Sequence, residues 1–586
     1  MGLLSFTLLI LGLFQLVSAQ QNTDPNEVAA LRTLINYWNL GSKINLTIDP
    51  CNQNASWTSE DSNPRVACDC SSNICHITHL KIYALDIKGE IPKELFELKE
   101  LMDLNLGQNV LNGSIPAEIG QLSKMQYSFS SNNFFGPLPK ELGNLTSLQQ
   151  LSLRNCRLSG QIPERIGKFT NLKYMDLSFN KLTGQIPTSF RGFSSLQFLY
   201  LGNNNLSGEL TEDMITPELI ALDVSFNPLS GNLPTQFAKT KSINVVGTSI
   251  NANGLQDNKV SGMLNCIQGK TKCKNKGSST SFSIKCGGTA QKSASGIEFD
   301  DDSEALGAAA LYTSTDEQWA VSNAGNFISN PKGNRYVAMT DSQITETLES
   351  ELYKTSRISP SSLRYYGLDL KNGKYSVELH FAEIEMEDSS YWKGLGRRLF
   401  DVYIQGEKVL EDFNIQKEAG GSKKALVKTF EANVTNTIME IHFFWAGKGT
   451  CCIPYQSTYG PLVSAIHASQ VSEAAGASSS RKHVGQIAGI VIGAVASVVI
   501  LSSVFYLWWK KDPQGLLNKA GDWGSFHYHP NVKELVSLIS DSLMVFLVFG
   551  KSSLEANEVV KNALDFFYKM SRLQMNSEKC EIRGLV

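Results

Sequence analysis

Between Ile77 and Ser242 the chain repeats itself. Leu104, Leu106, Asn109, Leu111, Gly113, Ile115 and Pro116 recur as Met175, Leu177, Asn180, Leu182, Gly184, Ile186 and Pro187, and again as Leu222, Val224, Asn227, Leu229, Gly231, Leu233 and Pro234. A fixed period of about 24 residues is the mark of a solenoid. Each unit offers a short strand whose leucines enter a shared core, and an asparagine whose amide can satisfy backbone groups where the chain leaves that strand. Seven units start at Ile77, Leu101, Met125, Leu148, Leu172, Leu196 and Leu219. No unit can bury its own apolar face, so the units stack into a curved slab whose concave face suits binding rather than chemistry. The third and sixth units are one residue short, and the sixth has Leu210-Thr211 in place of Ile-Pro. Loops absorb such slips and strands do not, so irregularity is expected near Met125.

The rest of the chain supplies a topology. Residues 1–19 have an apolar run from Leu3 to Val17 followed by Ser18 and Ala19, the pattern of a secretory signal peptide. Residues 484–509 are apolar enough and long enough for a single transmembrane helix, closed by Trp508, Trp509, Lys510 and Lys511. The expectation is a plasma-membrane protein with its N-terminus outside and a short cytosolic tail, 510–586. Asn-x-Ser/Thr acceptors at Asn45, Asn54, Asn112, Asn144, Asn205 and Asn433 all precede the span. So do ten of the 11 cysteines. Cys51, Cys68, Cys70 and Cys75 fall in a Cys-rich N-terminal cap, 20–76, and Cys266 and Cys273 in a C-terminal cap and linker, 243–281. With Cys286, Cys451 and Cys452 they are disulfide candidates whose pairing the sequence leaves open; a zinc site is the competing reading of the first cluster. Cys156 takes the asparagine position of its repeat and is expected to be a buried free thiol. A net charge of −3 gives no reason to expect nucleic acid. No metal or other cofactor is implied.

Apolar spacing from Pro25 to Leu40 predicts a helix that opens the cap. From 282 to 469 the pattern changes to alternating strands, Lys374–Ile384, Leu399–Gly406, Ala425–Ala432 and Ile438–Trp445, which indicates an all-β sandwich. Residues 470–483 form a small, polar stalk.

The segments WNL, DPCNQNASW and ACDCSSNICHITHLKI, with the Ile-Pro repeats, resemble the plant leucine-rich-repeat receptor family. FSIKCGG (282–288), LHFAE (379–383), FDVYIQG (400–406), GTCCIP (449–454) and YGPL (459–462) resemble a malectin-type domain. This order of repeats, malectin-like domain and one span is that of one subgroup of plant receptor-like serine/threonine kinases. The resemblance implies a multidomain fold: a leucine-rich-repeat solenoid of short strands with loops and 3-10 turns, then a malectin-like sandwich, a membrane helix and a tail. It also implies a kinase after the span. A kinase needs a Gly-rich loop, a strand lysine, a catalytic aspartate and an Asp-Phe-Gly, and none of these patterns follows Lys511. The tail from about 526 resembles instead a fragment of a non-LTR retroelement reverse transcriptase, with Ser540, Asp541 and Ser542 where paired metal-binding aspartates would stand. The expectation is therefore a receptor-like protein that is not itself an enzyme. The alternatives are a misjoined reading of a receptor kinase gene and a cell-wall carbohydrate anchor.

Positions three and five of each repeat project from the concave face. They make Tyr174, Asp176, Phe198, Tyr200 and Asp223 one aromatic and acidic patch, expected to bind an extracellular peptide, protein or co-receptor. Phe179 and Phe226, at position eight, are assigned to packing. In the malectin-like region Tyr365, Tyr366, Tyr391 and Trp392 are candidates for stacking on a carbohydrate ring. Glu385 and Met386 stand where the founding malectin family has an aromatic pair. Asp300, Asp301 and Asp302 read as a solvated acidic loop, with calcium as the alternative. Gly485, Gly489, Gly493 and Ser497 put small residues on one helix face, where two copies or a co-receptor can pair in the membrane.

Overall fold

The computed structural model describes residues 22–471, apart from 72, 127–130, 212–215, 217, 234–241, 252–257, 270–278, 328–335, 391 and 451–457. The signal peptide, the membrane segment with Gly485, Gly489, Gly493 and Ser497, and the tail lie outside the described residues, as do Cys273, Cys451, Cys452 and Tyr391. No helix among the described residues is long and apolar enough to cross a membrane.

The cap begins with a helix, Pro25–Tyr37, started by Asp24, whose carboxylate accepts from Asn26 N and Glu27 N. Its buried face is Ala30, Leu31, Leu34 and Ile35. Glu27 is buried with them and accepts from Ile77 N at 2.6 Å, while His76 Nδ1 lies 3.0 Å from its other oxygen. One carboxylate thus pins the helix to the first repeat. Disulfides Cys51–Cys68 and Cys70–Cys75 staple the hairpin Arg65–Asp69/His76–Lys81 that covers the open end of the core.

The repeats build two parallel sheets. The concave one runs through Gln150–Ser152, Tyr174–Asp176, Phe198–Tyr200, Ala221–Asp223 and Ile243–Asn244. Toward the cap, Asp103–Asn105 pairs with His76–Lys81; irregularity was expected near Met125, and residues 127–130, which follow it closely, lie outside the described residues. The repeating asparagine acts as a bracket between turns. Asn109 Nδ2 donates to Ile82 O at 2.7 Å and Leu106 O at 2.9 Å, while its Oδ1 accepts from Leu85 N and Ile87 N. Asn180 and Asn227 repeat the pattern. The second sheet, Phe135–Pro137, Arg157–Gln161, Lys181–Gln185, Asn205–Glu209 and Leu229–Ser230, was not anticipated. It is made by the Leu-x-Gly segment, and the repeating glycine stands there at positive φ, +79° at Gly184. After it each Ile-Pro sets an extended residue from which a 3-10 turn starts, as Pro116 does for Ala117–Gln121.

The second part is a sandwich of two six-stranded sheets. One holds Ser281–Cys286, Ala465–Gln470, Gly373–Phe381 and Leu426–Val434; the other holds Ala309–Thr313, Trp319–Ala324, Ser362–Gly367, Met439–Phe444 and Phe400–Ile404. Trp319, Tyr365, Val377, Phe381, Phe400 and Phe443 fill the space between them. Ser362–Gly367 and Trp319–Ala324 are buried along their whole length, on both faces. One face meets the sandwich core. The other meets the solenoid.

Candidate functional site

The predicted patch assembles as a patch. Register pairs Tyr174 with Phe198 and Asp176 with Tyr200, then Tyr200 with Asp223, and the Tyr174 ring lies 5.6 Å from Tyr200 and 6.2 Å from Phe198. It is not open to solvent. Asp176 is 3% exposed, Tyr200 and Asp223 1% each, and only Phe198 remains half-buried. Tyr174 and Tyr200 belong to the same apolar cluster as the sandwich residues Phe282, Leu363 and Val321. Conversely, Tyr366 and Ala320 of the sandwich join the repeat core. The expected ligand surface is therefore the seat of the second domain, and the concave face of the later repeats is closed.

Polar contacts fix the seat. Arg154 donates through its two terminal nitrogens to Ser361 Oγ at 2.5 Å and Trp445 O at 3.1 Å, with its guanidinium 4.6 Å from the Trp445 ring centre. Asn155 Nδ2 donates to Ala446 O at 2.7 Å, and Asn244 Nδ2 to Ser322 Oγ at 2.9 Å. From the other side, Arg364 pairs with Glu440, donates to Asn203 Oδ1 at 2.9 Å and lies 3.8 Å over the Phe226 ring. Phe179 packs on Phe444, ring centres 4.3 Å apart. Phe179 and Phe226 stand at φ of 56° and 52°, a conformation bulky residues rarely adopt. Both were assigned to packing, and the packing proves to be between domains.

Burial sets the electrostatics. It pushes the Asp223 carboxyl up to about 6, with hydrogen bonds from Ser225 opposing, and raises Asp176 against the counter-effect of Arg154. Tyr174 and Tyr200 are held well above the usual phenol range by the same desolvation. His442, stacked on Phe179 and bonded to Ser362 Oγ at 2.9 Å, is held well below the usual imidazole range by burial, and Arg364 adds to that. In each case burial disfavours the charged form, and among the described residues no nucleophile and base converge here.

The other candidates fall as follows. Tyr365 and Tyr366 cannot present flat faces to a sugar: Tyr365 is buried and donates to Asp302 Oδ2 at 2.7 Å, and Tyr366 is buried against the solenoid. Successive strand residues point to opposite faces, and here both faces are covered. Trp392 opens a short 3-10 turn, Trp392–Leu395. Glu385 pairs with Arg398 at 2.9 Å, and Met386 is buried, so the place of the missing aromatic pair is occupied by an ion-pair network that also includes Glu383. Asp300, Asp301 and Asp302 do not converge: they accept from Trp319 Nε1, from Ser303, and from Arg357 and Tyr365 respectively. Asp302 with Arg357 is a fully buried pair at 2.6 Å, which corrects the solvated-loop reading for that residue.

Cys286 is a buried free thiol, not a disulfide partner; its strand enters the sandwich core, and burial pushes the thiol up to about 12. Cys156 is free and buried, and Cys266 is disulfide-bonded. Cys51, Cys70 and Cys75 bring their sulfurs within 4.8 Å of one another, but all three are in disulfides, so no thiolate is left to hold zinc. All six glycan acceptor asparagines are exposed.

Fold and seat together define a leucine-rich-repeat solenoid docked on a malectin domain. Residues 61–235 match the leucine-rich repeat region family and residues 280–466 the Malectin domain family, and the chain is similar to leucine-rich-repeat receptor-like kinases. It is 43% identical over 270 residues to one probable LRR receptor-like serine/threonine-protein kinase of Arabidopsis thaliana, covering 45% of this chain and 26% of that protein. A second such protein of the same plant is 41% identical over 274 residues, with the same coverage. The chain thus spans about a quarter of the length of these relatives. Among solved structures it is similar to the ectodomain of the Arabidopsis thaliana receptor kinase GASSHO1/SCHENGEN3 at 26% identity, covering 32% of this chain and 23% of that one with a TM-score of 0.30.

Proposed function

We propose that this chain is a cell-surface receptor-like protein, anchored in the plasma membrane by residues 484–509, whose repeat and malectin domains act as one rigid recognition unit for an extracellular ligand or a partner receptor. The observation that carries this reading is the seat itself. Arg154, Phe179 and Arg364 lock the malectin domain onto the later repeats. The concave strand of an early repeat keeps half-buried polar groups, with Asp103 paired to Lys81 at 2.9 Å and Asn105 beside them. Recognition is thereby moved toward the N-terminal half of the slab. Disulfides in the cap and six exposed glycan acceptors support an extracellular setting.

In this reading the chain acts by binding, and where it shares ligands with full receptors it competes with them as a decoy. Pairing through the Gly485–Ser497 face belongs to the same reading. Calorimetry of the purified chain against cell-wall glycans, peptides and co-receptor ectodomains tests it. Binding weakened by Lys81→Glu or Asp103→Lys is expected; no binding to any of them contradicts the proposal. A second reading, that the native product is a receptor serine/threonine kinase, is favoured by the relatives of which this chain spans a quarter. ATP-dependent autophosphorylation of the product isolated from tissue supports that reading, and its absence supports the first.

A further inference from the structure

One glycan acceptor stands beside an exposed aromatic ring. Leu111 and Phe134 point into the repeat core and are fully buried. Alternation about these two residues puts Val110, Asn112, Asn133 and Phe135 on the outward side, where Val110–Leu111 pairs with Lys88–Gly89 and Phe135 opens the second sheet. The two segments are adjacent: Asn133 N donates to Leu111 O at 2.7 Å and Phe135 N to Gly113 O at 3.0 Å. Asn112 thus lies directly across from Asn133 and diagonally across from Phe135, about 7–8 Å between backbones and within reach of long side chains.

Phe135 is 54% exposed and Val110 37%. In the next repeats the place of Phe135 is taken by Ser159, Thr183 and Ser207, the small polar residues expected on a wet sheet face. A solvent-facing phenylalanine is unremarked on its own. Here it flanks the acceptor Asn112-Gly113-Ser114, whose asparagine is itself exposed.

We propose that Asn112 carries an N-linked glycan and that its first N-acetylglucosamine lies on the Phe135 ring, with Val110 at its edge. The attachment needs an oligosaccharide linked to a lipid diphosphate. Asn112 Nδ2 forms a bond to the anomeric carbon and loses one proton, the bond from that carbon to the diphosphate oxygen breaks, and the lipid diphosphate leaves. The sugar's C–H face then meets the electron-rich ring face, which removes apolar surface from water on both sides. This rests on the extracellular reading above, since the donor is met only on the secretory route.

The test uses the full chain from a glycosylating eukaryotic host. Glycopeptide mass spectrometry reads occupancy, and a double-mutant cycle of Asn112→Gln and Phe135→Ala reads coupling in the melting temperature. Occupied Asn112 is expected, with Asn112→Gln lowering Tm by about 1–3 °C in the parent, by nothing in the Phe135→Ala background, and again by about 1–3 °C with Phe135→Trp. Equal effects with and without the ring overturn the stacking. Sugar at other acceptors but none at Asn112 overturns this proposal alone. Bare asparagines at all six overturn the extracellular reading beneath it.

Discussion

The two halves of one concave face differ more than the repeat predicts. Asn105 and Asp176 occupy corresponding places, yet Asn105 and its neighbour Asp103, which is paired with Lys81, are half-buried, while Asp176 is buried, its carboxyl raised by desolvation. The strands are alike. What differs is the opposing surface: solvent in the early repeat, the fully buried strands Trp319–Ala324 and Ser362–Gly367 in the later ones. A period fixes which side chains share a face, and it is silent on what lies across from them.

The largest break in this difference is expected from Arg154→Ala. Arg154 is buried, its partners Ser361 and Trp445 belong to the other domain, and Asp176 loses its nearest counter-charge. A loss on the order of 3 kcal/mol is expected in urea unfolding, with faster amide exchange confined to the seat. An equivalent change at Lys81, whose pair with Asp103 is only partly buried, is expected to cost less than about 1 kcal/mol.

The acid dependence of docking comes next. In the docked state Asp223 titrates at about 6, against 3.8 for a free aspartate. The docked state therefore holds a proton that the undocked state releases, so docking is tightest at low pH, weakens as pH rises from about 4 to 6, and is level above. Around Asp223 stand Asp176, Tyr200 and Ser225 from the repeats and Arg364 and Tyr366 from the sandwich. Asp223→Asn is expected to remove a swing on the order of 2 kcal/mol from the pH profile of the unfolding midpoint. An unchanged profile contradicts the burial of this carboxyl.

Phe179→Ala removes the ring from Phe444 and relieves a bulky residue at positive φ. The two effects oppose, leaving an expected loss of about 1–2 kcal/mol. The smallest effect belongs to the cap. Its bond to Glu27 raises the His76 imidazole above its ordinary range. That contribution is complete below the free-histidine value and is lost as pH rises through the folded one. His76→Gln is expected to flatten a shallow slope near neutrality without moving the acid-side change caused by Asp223.

Legibility followed locality. Inward leucines, the bracketing asparagine and the sandwich strands were readable because each is fixed by neighbours within one repeat or hairpin; the predicted Ile438–Trp445 became Met439–Phe444. The second parallel sheet was missed because Leu-x-Gly segments form it only when stacked. Tyr365 and Tyr366 were misread because one faces the sandwich core and the other the solenoid, and nothing in the sequence reports the second cover. Arg154 and Arg364 passed unnoticed for the same reason: their partners lie 207 and 161 residues away. Cys286 looked like a staple because its compartment favours pairing, whereas its strand carries it into an apolar core.

The most direct test of the account is carboxyl footprinting of the full chain at pH 7, comparing Asp103 with Asp176 and Asp223 by peptide mass spectrometry. A closed seat predicts modification at Asp103 with Asp176 and Asp223 protected, the protection falling in the Arg154→Ala variant. Modification of all three at similar rates in the parent would mean that the later repeats present an open concave face, and would contradict the docked arrangement.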